Sequence, residues 1–155
     1  MELLLPGIGV YLGFILVILG IFFIPYIFFI RTQYTTLQAI QPDNRLMNPA
    51  EVWLQLIPAV GLIWQFVVVD RIADSIQREY QSHQDISFLG IGDGDLQEKI
   101  KERVTYTTGF NYCLLLVFSF IPVIGIFIGM AMLVLWITYW NQLIKHRDMI
   151  RAAGL

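Results

Sequence analysis

From Ile8 to Ile30 the chain reads IGVYLGFILVILGIFFIPYIFFI, 23 residues without a charged side chain. As a helix this run is about 34 Å long, enough to span a hydrocarbon core of about 30 Å. The composition agrees with a lipid solvent. Hydrophobic residues make up 57% of the chain and charged residues 14%, whereas a soluble domain is roughly half apolar and a quarter charged. The run has no basic segment before it and no small-x-small cleavage site after it, so it reads as a retained membrane helix rather than a signal peptide. Pro25 is expected to kink this helix rather than end it, because neighbouring helices can satisfy the freed carbonyl.

The 155 residues allow one domain, and the net charge of -2 gives no reason to expect nucleic acid as a partner. The single cysteine, Cys113, excludes an intramolecular disulfide and a cysteine-based metal cluster. After Ile30 the sequence turns polar and extends the first helix beyond the membrane, and QPDN at 41–44 marks a turn. Asn48, Pro49 and Glu51 then form a helix start: an N-cap, a proline at the first helical position and an acid at the capping-box position. A second charge-free run covers 52–69 and continues into DRIADSIQREY. A polar connector occupies about 81–95, with Asp95 placed to cap a helix that runs unbroken towards Phe120. Apolar segments at 104–121 and 123–144 complete the chain.

The same punctuation occurs twice, as LIPAVGLIW at 56–64 and FIPVIGIFI at 120–128. Residues 104–144 as one helix would measure about 61 Å, so the second copy, with Pro122 and Gly125, must reverse the chain into a transmembrane hairpin. The first copy, with Pro58 and Gly61, leaves two readings. Residues 52–69 are one kinked span of about 27 Å, or 49–69 form a re-entrant hairpin that turns near the midplane. The expected fold is therefore an all-α integral membrane bundle of three to four hydrophobic segments. Charge favours the hairpin. It puts all ten Lys and Arg on one face, with the start of the chain, MELLLPG, on the other. The positive-inside rule then makes the basic face cytoplasmic and the N-terminus external. Small residues agree: Gly9, Gly13 and Gly20 line one helix and Gly125 and Gly129 another, and such surfaces let membrane helices approach closely.

Few residues carry chemistry. Unwound Pro-Gly backbone near the midplane is used by transporters to bind ions, but Ile57, Ala59, Val60 and Leu62 around the first copy offer no ligand except carbonyls, so a packed turn is the plainer reading. Asp70, Arg71, Asp74 and Arg78 follow one side of the second helix. They suit a cation or proton site at the membrane surface, or more simply a salt-bridge ladder, with Asp74 and Arg78 paired and Asp70 facing the start of the helix at Pro49. Trp53, Trp64, Trp136, Tyr139 and Trp140 read as interfacial anchors, and Asn111 as a link between helices. GIGDGD at 90–95 lacks the Lys-Ser/Thr of a phosphate loop and the terminal Glu of a calcium loop. His83 and His146 have no metal-ligand spacing, and no cofactor or catalytic set is indicated.

NPAEVWLQLIPAVGLIWQFVVVDRIADSIQREY and, downstream, IPVIGIFIGMAMLVLWITYWNQL resemble a family of small bacterial multi-pass membrane proteins. The resemblance runs over roughly 48–143 and is carried by the Asn-Pro, Trp-Leu, Ile-Pro, Trp-Gln and Asp-Ser landmarks. It implies a bacterial cytoplasmic membrane and brings no activity with it. The expected role is a non-catalytic membrane scaffold or accessory subunit that associates with itself or with other membrane subunits. The alternative is a small channel or transporter component that uses the Pro-Gly turns.

Overall fold

The computed structural model describes residues 5–58, 60–87, 103–121 and 125–152. The described residues are helical, with no strand among them. Helix α1 covers Leu5–Ala39, and Pro25 lies inside it without ending it. A short 3-10 helix, Pro42–Asn44, forms the QPDN turn. A second 3-10 helix, Pro49–Leu56, follows. Its start is capped as expected: the Asn48 side chain accepts a hydrogen bond from the Ala50 N–H, and Pro49 needs no donor there. Helix α2 is Val60–Ser87, α3 is Tyr106–Phe118 and α4 is Gly125–Ala152. The connector at 88–102, with Asp95 and GIGDGD, and Pro122 lie outside the described residues, as does the side chain of His83.

Contacts fix the direction of each element. Phe29 meets Trp136 and Thr35 meets Arg147, so α1 and α4 run parallel. Tyr26 meets Gln65 and Gln41 meets Glu79, so α2 is parallel to α1. Helix α3 runs the other way: Tyr112 bonds Gln65 and Thr108 bonds Gln142. The polar ends of α1, α2 and α4 therefore gather at one end of the bundle.

The 3-10 helix also runs back against α2. The Trp64 indole donates to the Glu51 carbonyl at 2.8 Å. In a continuous helix these residues would be about 20 Å apart. The single kinked span is excluded, and the chain reverses between Leu56 and Val60.

The core is built around Phe29, which is fully buried. The rings of Tyr112, Trp136, Tyr139 and Trp140 stand edge-on to it, with centroids 5.5–6.0 Å away. Leu37, Ile40, Val68, Ile72, Ile76 and Leu143 extend the core towards the polar end. Here the sequence reading needs correction. Tyr139 is fully buried, and Trp136 and Trp140 pack against this cluster, so these rings are core residues and not simply surface anchors. Asn111 is exposed and makes no hydrogen bond to a described residue.

The glycine faces also differ from expectation. A Cβ at Gly9, Gly13, Gly20 or Gly129 would meet nothing within 4 Å, so among the described residues these glycines pack against no other helix. The close approach is made instead by Gly109, where a Cβ would come within 2.7 Å of Val69 Cγ1 and 2.8 Å of Tyr139 Cε2. Helix α3 can lie between α2 and α4 only because position 109 has no side chain.

Nor does one helix lead unbroken to Phe120. Thr105 has φ 75°, in the left-handed region, and α3 starts after it. That conformation is costly for a β-branched residue. It is held by Arg103, two residues earlier, which is tied to α2.

Candidate functional site

Two places bring together the residues singled out from the sequence. The first is the Ile-Pro-x-x-Gly turn at 57–61. The Ile57 N–H donates to the Leu54 carbonyl at 3.1 Å, and the Gly61 N–H donates to the Ile57 carbonyl at 2.7 Å. Ile57 has extended backbone, φ -77° and ψ 118°, as a residue before proline prefers. Both reversals are made without a positive φ at Gly61 or Gly125. Glycine is needed at 61 for space: a Cβ would fall on the Gln55 carbonyl oxygen and 2.9 Å from its carbon.

A cavity of about 420 Å³ opens at this turn, between α1, α2, α3 and α4. Its walls are apolar, among them Phe23, Leu62, Leu116 and Met132. Its polar lining is a neutral chain of side chains. The Tyr112 hydroxyl donates to Gln65 Oε1 at 2.9 Å, and Gln65 Nε2 donates to the Tyr26 hydroxyl at 2.8 Å. Nearby, Gln55 Nε2 donates to Gln33 Oε1 at 2.6 Å and to the Val52 carbonyl at 2.9 Å. Gln33, Gln55 and Gln65 are all buried. Among the described residues no charged side chain lines the cavity.

The second place is the acidic pair on α2. Asp70 and Asp74 do not form the ladder expected from sequence. Both are held by Arg103: its Nη2 donates to Asp70 Oδ1 at 2.6 Å, and its Nε donates to Asp74 Oδ1 at 2.7 Å. The guanidinium also lies 4.0 Å over the Tyr106 ring. Burial works against the Arg103 charge, but the bonds and fields of Asp70 and Asp74 outweigh it and raise its pKa above the ordinary guanidinium value. Arg71 and Arg78 are exposed, and among the described residues neither has a carboxylate within 4 Å. Asp70 is thus a tether for the start of α3, not a partner for Pro49.

Two buried polar residues, Glu79 and His146, close the same end. Glu79 is fully buried on α2 and accepts from the Gln41 N–H at 3.1 Å and from Asn44 Nδ2 at 2.6 Å. It therefore holds the short 3-10 helix to α2. His146 is buried on α4, with Nδ1 2.7 Å from the Tyr80 hydroxyl. Burial pushes that hydroxyl up to about 12. The signal for Glu79 was an acid three and seven residues after Ile76 and Ile72, on the same buried face of α2. Among the described residues no three His, Cys, Asp or Glu side chains are grouped to hold a metal ion.

No family model, curated protein or solved structure matches this chain.

One helix among the described residues, α4, is long and apolar enough to cross a membrane. Its most apolar window has a mean hydropathy of 1.5 and is only 11% buried.

Proposed function

We propose that this chain is a multi-pass protein of a bacterial cytoplasmic membrane and acts as a non-catalytic scaffold or accessory subunit. The observation that supports this best is the direction of the helices. Helices α1, α2 and α4 run parallel, so their basic ends share one face, and large apolar side chains stand exposed towards the other. Leu12, Phe14, Leu16, Val17, Ile21, Phe23 and Ile24 on α1, and Ile126, Phe127, Met130 and Val134 on α4, are all more than half exposed. Water would penalise that surface and lipid would not.

Depths along the helices agree with this reading. Ile8 lies about 31 Å from Phe29 along α1, a full hydrocarbon thickness. The second turn lies about 20 Å from the ring cluster along α4. Val60 at the first turn lies only about 12 Å from the level of Phe29, near the midplane. On this proposal 49–69 is re-entrant and α3–α4 is a transmembrane hairpin. The positive-inside rule makes the basic face cytoplasmic. The landmarks shared with small bacterial multi-pass proteins support the same compartment.

A transport component is the second reading, supported by the cavity at Gly61. Its apolar walls and uncharged lining fit a hydrated ion path poorly and favour the scaffold. The topology is tested by single cysteines at Gln41 and Gln84 in a Cys113→Ala background. Both should label from the cytoplasmic side alone. Labelling of either position from outside would overturn the arrangement.

A further inference from the structure

We infer that the cleft between the polar halves of α1 and α4 is a binding site for an anionic phospholipid. The inference rests on the membrane reading above. The cleft has a volume of about 330 Å³, and its lining includes Phe28, Arg31, Thr35, Trp140, Ile144 and Arg147. The two helices present the same order of chemistry. Phe28 and Arg31 are three residues apart on α1, and Ile144 and Arg147 are three apart on α4. Residues at that spacing share a helix face. Because α1 and α4 are parallel, each wall carries an apolar side chain first and a guanidinium one turn nearer the polar end.

The charges are free enough to bind. Arg31 is exposed and has no carboxylate within 4 Å among the described residues. Arg147 reaches Thr35 Oγ1 at 3.4 Å and pairs with Asp148 at 2.9 Å. Asp148 is itself 57% exposed, so that pair is readily exchanged for a stronger anion. Thr35 and Trp140 set the walls: Thr35 Oγ1 donates to the Thr32 carbonyl at 3.0 Å, and Trp140 Nε1 donates to Thr32 Oγ1 at 2.8 Å. Two cationic groups against one engaged carboxylate select a negative ligand, and the planar guanidinium matches phosphate oxygens in pairs.

The apolar edge decides between a lipid and free phosphate. Phe28 is 53% exposed, and Ile24, one turn earlier on the same face of α1, is 58% exposed. Acyl chains attached to a bound headgroup would cover that surface. Inorganic phosphate would leave it bare. Trp140 stands at the boundary between the two regions, where an indole is favoured at a membrane surface, and basic clefts between helices on the cytoplasmic side suit anionic headgroups.

The test is native mass spectrometry of the full chain in detergent, with phosphatidylglycerol or phosphatidylcholine added. The chain should retain phosphatidylglycerol in clear preference. The Arg31→Gln/Arg147→Gln variant should lose that preference by about thirtyfold, from about fivefold per cation. Arg78→Gln, on α2, should leave it unchanged. Should the double variant fail to fold, Arg31→Gln alone is read, because Arg31 has no carboxylate partner among the described residues to lose; about fivefold is expected. Equal retention of both lipids, or full preference in the arginine variants, would overturn the site. Displacement of the lipid by inorganic phosphate would overturn the lipid assignment. Release of the protein from membranes by alkaline carbonate would instead sink the membrane reading, independently of the headgroup result.

Discussion

The two Ile-Pro-x-x-Gly turns have nearly the same local geometry and end different structures. In both, the isoleucine N–H bonds the carbonyl three residues earlier at 3.1 Å. In both, the glycine N–H bonds the isoleucine carbonyl, at 2.7 Å for Gly61 and 2.8 Å for Gly125. A Cβ on either glycine would fall on the carbonyl oxygen six residues back, that of Gln55 or Ser119. What differs is the arm leading in. The first arm is an eight-residue 3-10 helix held by side-chain hydrogen bonds, and the second is the 13-residue α3 held by ring packing. One turn lies against the polar chain of Gln55, Gln65 and Tyr26. Both turns expose their isoleucine, Ile57 at 46% and Ile121 at 44%, and the second has exposed Phe120 beside it in place of that chain. A shared turn motif therefore sets how the chain reverses, and the length and chemistry of the arm set where.

The strongest test of this likeness is to substitute both glycines. Gly61→Ala and Gly125→Ala should each destabilise by about 3 kcal/mol, the upper end for overpacking, because a backbone carbonyl cannot turn aside. Asn should be no milder than Ala, since the cost is space and not φ. Unfolding in mild detergent measures this. Stabilisation by either Ala, as expected in ordinary helix, would break the comparison.

The next test touches only the first arm. Gln33→Leu should cost about 1–3 kcal/mol by stranding the Gln55 amide. Gln33→Leu/Gln55→Leu should recover part of that loss. If the double variant is worse than the sum of the singles, the arm is not held by this bond.

A third test touches only the second arm. Gly109→Ala should cost about 1–2 kcal/mol, because Val69 and Tyr139 can shift slightly to admit a methyl. Gly13→Ala and Gly129→Ala, with open space around them, should not destabilise the monomer in the same melting experiment. Equal losses at all three positions would mean that the outer glycines do pack.

The smallest effect belongs to the tether between α2 and α3. Asp70, Asp74 and Arg103 are each about a third exposed or more, so Arg103→Gln should cost only about 0.5–1 kcal/mol. The loss should shrink as salt rises. A cost that is large and independent of salt would show a role beyond the ion pair.

Much of this was legible in the residues, for reasons of local chemistry. Charge-free runs exposed the apolar helices, Asn48–Pro49 marked a helix start, and Pro-Gly punctuation marked both turns. The site residues were less legible. Asp70 and Asp74 stood out as a pair, but their partner Arg103 lies 33 and 29 residues away. An i, i+4 rule offered Arg78 instead. The glycine faces failed for a related reason. Spacing identifies a face that can be approached closely, and Gly9, Gly13 and Gly129 have that spacing with no helix among the described residues opposite them.

The sequence by itself therefore determined the helical class, the second reversal and the apolar character of the segments, and left the first Pro-Gly copy as a kink or a turn, because hydrophobic runs, proline and glycine act within a few residues of where they stand. Only the tertiary structure decided that Gly109 is the glycine admitting a neighbour, that Tyr139 is core, that Arg103 clamps two carboxylates, and that Glu79 is buried under Gln41 and Asn44. Each of these depends on which helix lies opposite. That is set by packing and hydrogen bonds between residues dozens of positions apart, and no local pattern records it.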